Sequence, residues 1–166
     1  MIGYKKEIEK LVGRLFDRCL EYYGERLVSF VVFGSVAREK YRPDSDIDFL
    51  IVAEKLPRGR LKRVFEFTEN VEKSLKGHLK ALWKEGIYVA LSPIFKTVEE
   101  VKTGSPLFLD MTLDVKILYD KGNYFENYLQ QLKEKLKQLG AKRVVKGNAW
   151  YWVLKPDYKY GDIIEL

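Results

Sequence analysis

Apolar residues recur at helical spacing near the start of the chain. Ile8, Leu11, Val12, Leu15, Phe16, Cys19, Leu20 and Tyr23 predict an amphipathic helix from Ile2 to Tyr23, stopped by Gly24. The period then changes. Leu27 to Phe33 is an apolar, β-branched run and reads as a buried strand. Gly34 ends it, and Ser35 is placed to cap a short helix over Ser35–Lys40. A loop runs through Pro43, and Ile47 to Ala53 reads as the second strand.

Leu61, Val64, Phe65, Val71, Leu75, Leu79 and Leu82 mark a long helix ended by Gly86. Ile87 to Phe95 reads as a third strand, and Pro93 within it suggests a sheet edge or a bulge. Thr97-Val98-Glu99-Glu100 fits a capping box opening a short helix, which Gly104-Ser105-Pro106 breaks. Leu107 to Leu118 is apolar along one side and is read as a helix ending near Gly122. Asn123 is placed to cap a further helix over Tyr124–Leu139, stopped by Gly140. The tail changes character: Arg143–Lys146, Gly147-Asn148 and Ala149–Leu154 read as a β-hairpin with a two-residue turn. The element order is that of an α/β (α+β) chain. Residues 1–122 form its main domain, and 123–166 a C-terminal helix and hairpin appended to it.

Composition narrows the class. The 166 residues suffice to bury a core, and 46% hydrophobic with 33% charged residues is a globular composition with a heavily charged surface. One cysteine, Cys19, excludes an intramolecular disulfide framework and a Cys-rich zinc site, and its place on the apolar face of the first helix makes it core. The single histidine, His78, has no neighbouring ligand in sequence and is read as structural. No run of eighteen apolar residues and no signal peptide is seen, so the chain is expected to be cytoplasmic with no membrane association. A net charge of +6 permits polyanionic ligands without identifying one. Arg58, Arg60, Lys62 and Arg63 read as a solvated face, the alternative being a basic lip beside a phosphate site. Trp150, Tyr151, Trp152, Tyr158 and Tyr160 suit packing or an interface ahead of base stacking, so nucleic acid is not the favoured partner.

The chemistry gathers between the first two strands. A Gly34-Ser35 turn into a helix presents backbone N–H groups and a hydroxyl to an anion. Asp46 and Asp48 are two apart on a strand, hence on one face, and two adjacent carboxylates call for a cation. Mg²⁺ (or Mn²⁺) carrying substrate phosphates answers that need. Gly34-Ser35, ten residues, then Asp46-Ile47-Asp48, with Ala37-Arg38 and Ser45, resembles the signature of the DNA polymerase β-like nucleotidyltransferase superfamily, and most closely its minimal stand-alone members.

The resemblance implies a small mixed sheet with helices packed on one face. It implies that Gly34 and Ser35 hold the β and γ phosphates of a nucleoside triphosphate, with ATP the first choice. Asp46 and Asp48 would be the catalytic metal ligands. Arg38 is a further phosphate candidate, unless it pairs with a carboxylate such as Asp44. An acceptor hydroxyl would attack the α-phosphorus and pyrophosphate would leave. Active members usually add a third carboxylate on the next strand, and Ile87–Phe95 has none; Asp110 and Asp114 come later, and Glu85 precedes the strand. Glu39 stands where a Gly often follows Ala-Arg.

Three functions follow. The first is a metal-dependent transferase moving NMP from NTP to a hydroxyl on a protein, RNA or small molecule. The second is a nucleotide-binding interaction module, antitoxin-like toward a HEPN-type protein or self-associating as a homo-oligomer. The third is an RNA-binding protein.

Overall fold

A computed structural model describes residues 3–166. The start of the first helix at Ile2 lies outside that range. Helix α1 spans Gly3–Tyr23, strand β1 Leu27–Phe33, the one-turn helix α2 Gly34–Ala37, and strand β2 Ile47–Ala53. Helices α3 (Arg60–Phe67) and α4 (Lys73–Lys84) are joined by a π-helical segment, Thr68–Glu72, within the predicted long helix. Strand β3 (Leu91–Lys96), helices α5 (Val98–Thr103) and α6 (Leu107–Met111), strand β4 (Lys116–Asp120) and helix α7 (Tyr124–Leu139) follow. Strands β5 (Lys142–Lys146) and β6 (Ala149–Val153) form the hairpin.

The main sheet has the order β3-β2-β1-β4. It is mixed: β1 runs antiparallel to β2 and β4, whereas β2 and β3 are parallel. Pro93 sits on β3, an edge strand, as its missing N–H requires.

Alternation along the strands feeds two cores. Phe30, Val32, Phe49 and Ile51 face α1, α3 and α4, where Leu11, Leu15, Cys19 and Phe67 are buried. Phe16, Phe30, Phe49, Phe67 and Phe95 form a row across this face, successive ring centres lying 5.5, 5.5, 5.7 and 5.7 Å apart. Val28, Val31, Leu50 and Val52 face the other way, onto Phe108 of α6 and Phe125, Leu129, Leu132 and Leu136 of α7. Both faces of the sheet are therefore covered, where the resemblance implied one. Two of its strands are buried on both sides, so they are apolar throughout except for Ser29 and Asp48.

Three sequence expectations about these elements are corrected. Leu107–Leu118 is not one helix. Its helical part ends at Met111, where Thr112 Oγ1 donates back to the Leu109 carbonyl at 2.6 Å, and Lys116–Asp120 joins the edge of β1. A register shift between Ile117 and Tyr119 sends Ile117 to the second core and Tyr119 to the first, which hides the strand's alternation. The third strand begins at Leu91; Ile87 and Val89 before it are core residues outside regular pairing. Ser35 does not cap α2, whose N-cap position is Phe33.

Asn123 holds the N-cap position of α7 but makes no side-chain cap bond. Asp120 supplies it: its Oδ1 and Oδ2 accept from the Phe125 and Glu126 amides, both at 2.9 Å, and Oδ1 also accepts from buried Ser29 Oγ at 2.7 Å. Asp120→Ala removes the cap and strands a buried hydroxyl. It is expected to cost about 2–3 kcal/mol in urea unfolding, against about half that for Asp120→Asn.

The predicted capping box is present: Thr97 Oγ1 accepts from the Glu100 amide, and Glu100 Oε2 from the Thr97 amide. Glu100 also takes both arms of buried Arg63, at 2.7 and 3.0 Å, and Arg63 Nε donates to the Pro57 carbonyl at 2.7 Å. Arg63 is thus structural. Arg58 and Arg60 follow the far end of β2 from Asp46, and Arg60 shares a cavity with Arg63, Pro93 and Glu100.

Candidate active site

Antiparallel pairing sets Phe33, the last residue of β1, opposite Asp48 near the start of β2. The turn after β1 therefore meets the acidic end of β2. Gly34 makes this approach possible. Its φ is +70°, a left-handed value that a side chain disfavours, and a Cβ there would collide with Asp48 Oδ2 and lie 3.2 Å from its Cγ. From Gly34 the chain enters α2, whose leading amides have no helical partner. Ser35 lies in that first turn, half-buried. Asp46 precedes β2 and is exposed, and Asp48 is half-buried two residues on. Gly34, Ser35, Asp46 and Asp48 are thus brought to one end of the sheet.

On the other side of β2, parallel pairing sets Ser92 of β3 beside Asp48. Burial holds the Asp48 carboxyl above its ordinary value, and the nearby Asp46 charge adds to this. Hydrogen bonding from Ser92 and the Arg38 charge act in the opposite sense. The folded chain thus binds a proton at Asp48 more tightly than the unfolded chain. The penalty is absent below the unfolded value of 3.8, and it grows as pH rises through the raised folded value. Asp48→Asn is therefore expected to raise the metal-free Tm at pH 7 and to leave it unchanged at pH 3.5, by calorimetry.

A cation would relieve the same strain. The donor set, two carboxylates beside the Gly34-Ser35 turn, suits a hard, oxygen-seeking ion that keeps substrate oxygens in its shell. No cluster of three His, Cys, Asp or Glu side chains suited to a metal occurs among the described residues. Asp110 and Asp114 are engaged elsewhere. Asp110 Oδ1 accepts from the indole N–H of Trp150 at 3.0 Å and of Trp152 at 2.9 Å, and Asp114 Oδ2 accepts from Arg143 at 3.1 Å. Glu85 follows α4 and is exposed. Ser92 occupies the place beside Asp48 where the resemblance implied an acid.

Arg38 closes α2 and is half-buried. It does not pair with Asp44, which Arg42 takes at 3.3 Å. Its guanidinium lies 5.1 Å from the ring centre of Trp150, on the hairpin. Neither Ser92 nor Trp150 was singled out for the site from sequence. A lone serine in an apolar strand was the available signal for Ser92; nothing local signalled Trp150. The rest of the tail is divided: Trp152 and Leu154 pack on the second core, while Tyr151, Tyr158 and Tyr160 are exposed. Cys19 is buried in the first core, which pushes its thiol far up. No helix among the described residues is long and apolar enough to cross a membrane.

The chain is 28% identical over 137 residues to a protein of Methanocaldococcus jannaschii provisionally named a protein adenylyltransferase, covering 81% of this chain and 87% of the relative. Among solved structures it is similar to a chain of a toxin–antitoxin with AMP-PNP, with 18% identity, a TM-score of 0.45 and coverage of 81% and 88%. It is also similar to a chain from a complex of tri-AMPylated Shewanella oneidensis HEPN toxin with MNT antitoxin, at 16% identity and a TM-score of 0.42, covering 82% and 88%. The sequence profile of the nucleotidyltransferase domain matches residues 12–119, the stretch that runs from α1 through both aspartates to β4. The chain belongs to the nucleotidyltransferase domain family.

Proposed function

We propose that this protein is a cytoplasmic adenylyltransferase that moves AMP from ATP to a hydroxyl of a protein partner. One observation carries the reading: Asp48 packs against the Cβ-free side of Gly34, so a phosphate-binding turn and a carboxylate pair adjoin. Gly34 and Ser35 bind the terminal phosphates through backbone amides and a hydroxyl. Arg38 adds a charge on the same side. Asp46 and Asp48 would hold Mg²⁺ or Mn²⁺, which when bound would neutralise triphosphate charge and acidify the acceptor hydroxyl. The acceptor oxygen gives up its proton to solvent water and bonds to the α-phosphorus as the bond to the β-phosphate oxygen breaks, and pyrophosphate leaves.

The protein acceptor is supported by the name of the archaeal relative. A HEPN-type protein, which the sequence resemblance implies, is the first partner to test. The transferase domain is taken as residues 1–122, with 123–166 an addition that also covers its sheet.

A second reading is favoured by Ser92, which supplies a hydroxyl where an acid would complete a three-carboxylate site. That reading is nucleotide binding with little turnover.

Calorimetric titration of ATP with and without Mg²⁺ tests the site. Metal-dependent binding in the wild type, lost in Asp46→Asn/Asp48→Asn, is the expected result. Absence of ATP binding by folded wild type would overturn it. Binding without transfer to any acceptor would select the second reading.

A further inference from the structure

Arg38 is held in an unusual way for a cation beside a carboxylate site. Its side chain has no hydrogen bond and no ion pair among the described residues, and what it meets is the ring of Trp150. A guanidinium paired with a carboxylate is neutralised and its donors are spent. One resting on an aromatic face keeps its charge and all five N–H donors. Arg38 is thus located but unneutralised, at the end of the one-turn helix that Gly34 and Ser35 open.

Trp150 is itself fixed from several sides. Its indole N–H donates to Asp110 Oδ1 at 3.0 Å, and that oxygen also accepts from Trp152 Nε1 at 2.9 Å. The Arg143 guanidinium lies 5.2 Å from the Trp150 ring centre, while Arg143 Nη1 reaches Asp114 at 3.1 Å and Asp110 at 3.7 Å. Trp152 and Leu154 anchor the same hairpin on the second core. The hairpin therefore presents one ring, locked through α6, to the end of α2. Local sequence gives no reason for this: Arg38 and Trp150 are separated by most of the chain.

We propose that Trp150 is a positioning residue that holds Arg38 ready for the nucleotide's phosphates, so that the C-terminal hairpin completes the phosphate side of the site. The proposal rests on the reading of Gly34, Ser35 and Arg38 as the phosphate side. Trp150 acts through Arg38 and does not itself meet the nucleotide.

The test is calorimetric binding of two probes, MgATP and magnesium tripolyphosphate, to the full chain and to Trp150→Ala, Trp150→Phe, Arg38→Ala and Trp150→Ala/Arg38→Ala. Trp150→Ala is expected to weaken both probes by the same factor, roughly three- to tenfold, the range of one cation–π contact. Trp150→Phe keeps a ring face and is expected to stay within about twofold of wild type. Once Arg38 is alanine, adding Trp150→Ala is expected to change nothing further.

Four results would overturn the proposal: an unchanged affinity in Trp150→Ala, a loss that adds in full to that of Arg38→Ala, a Trp150→Phe variant as weak as Trp150→Ala, or a loss confined to ATP. The last would mean that the ring meets the base. If wild type binds neither probe, the phosphate-site reading fails together with this one. If wild type binds and only the Trp150 pattern fails, the site stands and the hairpin's role falls.

Discussion

Gly34→Ala is expected to abolish nucleotide binding while costing more stability than a usual surface change. Two independent effects act at this position. The backbone is left-handed, with φ +70°, which costs a residue bearing a Cβ about 1–2 kcal/mol. The new methyl would also occupy the space of Asp48 Oδ2, with Asp48 Cγ only 3.2 Å away. The backbone of Asp48 is not free to retreat, because β2 is held between β1 and β3 and its flanking residues Ile47 and Phe49 are fully buried. The turn must yield, the carboxylate must swing, or both. A displacement of about 1 Å at a catalytic group costs on the order of 10²-fold in rate, so even a chain that still folds is expected to lose about that much transfer activity. Thermal unfolding and ATP titration together check this. A variant with wild-type Tm and wild-type affinity would show that the close approach has no role.

The second large effect is expected in Asp46→Asn/Asp48→Asn. The substitution is nearly isosteric, so the fold should persist. Removal of the half-buried Asp48 charge should if anything stabilise the metal-free chain at neutral pH, because its carboxyl is held above the ordinary range mainly by burial. Transfer activity is expected to fall by at least about 10³-fold, since losing even one preorganised electrostatic group at a reacting centre costs about 10²–10³. Rising stability with vanishing activity is the signature of groups retained for chemistry at the expense of the fold. A mutation that merely damaged packing would lower both.

Much of this arrangement is legible in the sequence because it is local. Leu27–Phe33 and Ile47–Ala53 are apolar except for Ser29 and Asp48, and sheet centrality produces such runs. Gly34-Ser35 and Asp46-Ile47-Asp48 sit where those runs end, so the site's acidic end and its turn can be read before the fold is known. What escaped reading depends on distant pairing. β4 looked helical because a register shift turns Ile117 and Tyr119 to opposite cores, which erases the period of two. Asn123 looked like a cap because it precedes a helix; Asp120 does the work because Ser29, far earlier in the chain, helps to fix it. Ser92 reaches Asp48 only through parallel pairing, and Trp150 reaches Arg38 only through the packing of the hairpin on α6. Neither juxtaposition leaves a mark within a short window of residues.

The most direct test of the central claim is a label-transfer assay with Mg²⁺, a HEPN-type partner and ATP labelled at either the α or the γ phosphate. Label from the α position is expected on the partner, with pyrophosphate released. No label should come from the γ position, and none from either position with Asp46→Asn/Asp48→Asn. Undiminished labelling by the double variant, or transfer of the γ label in place of the α, would contradict adenylyl transfer at this site.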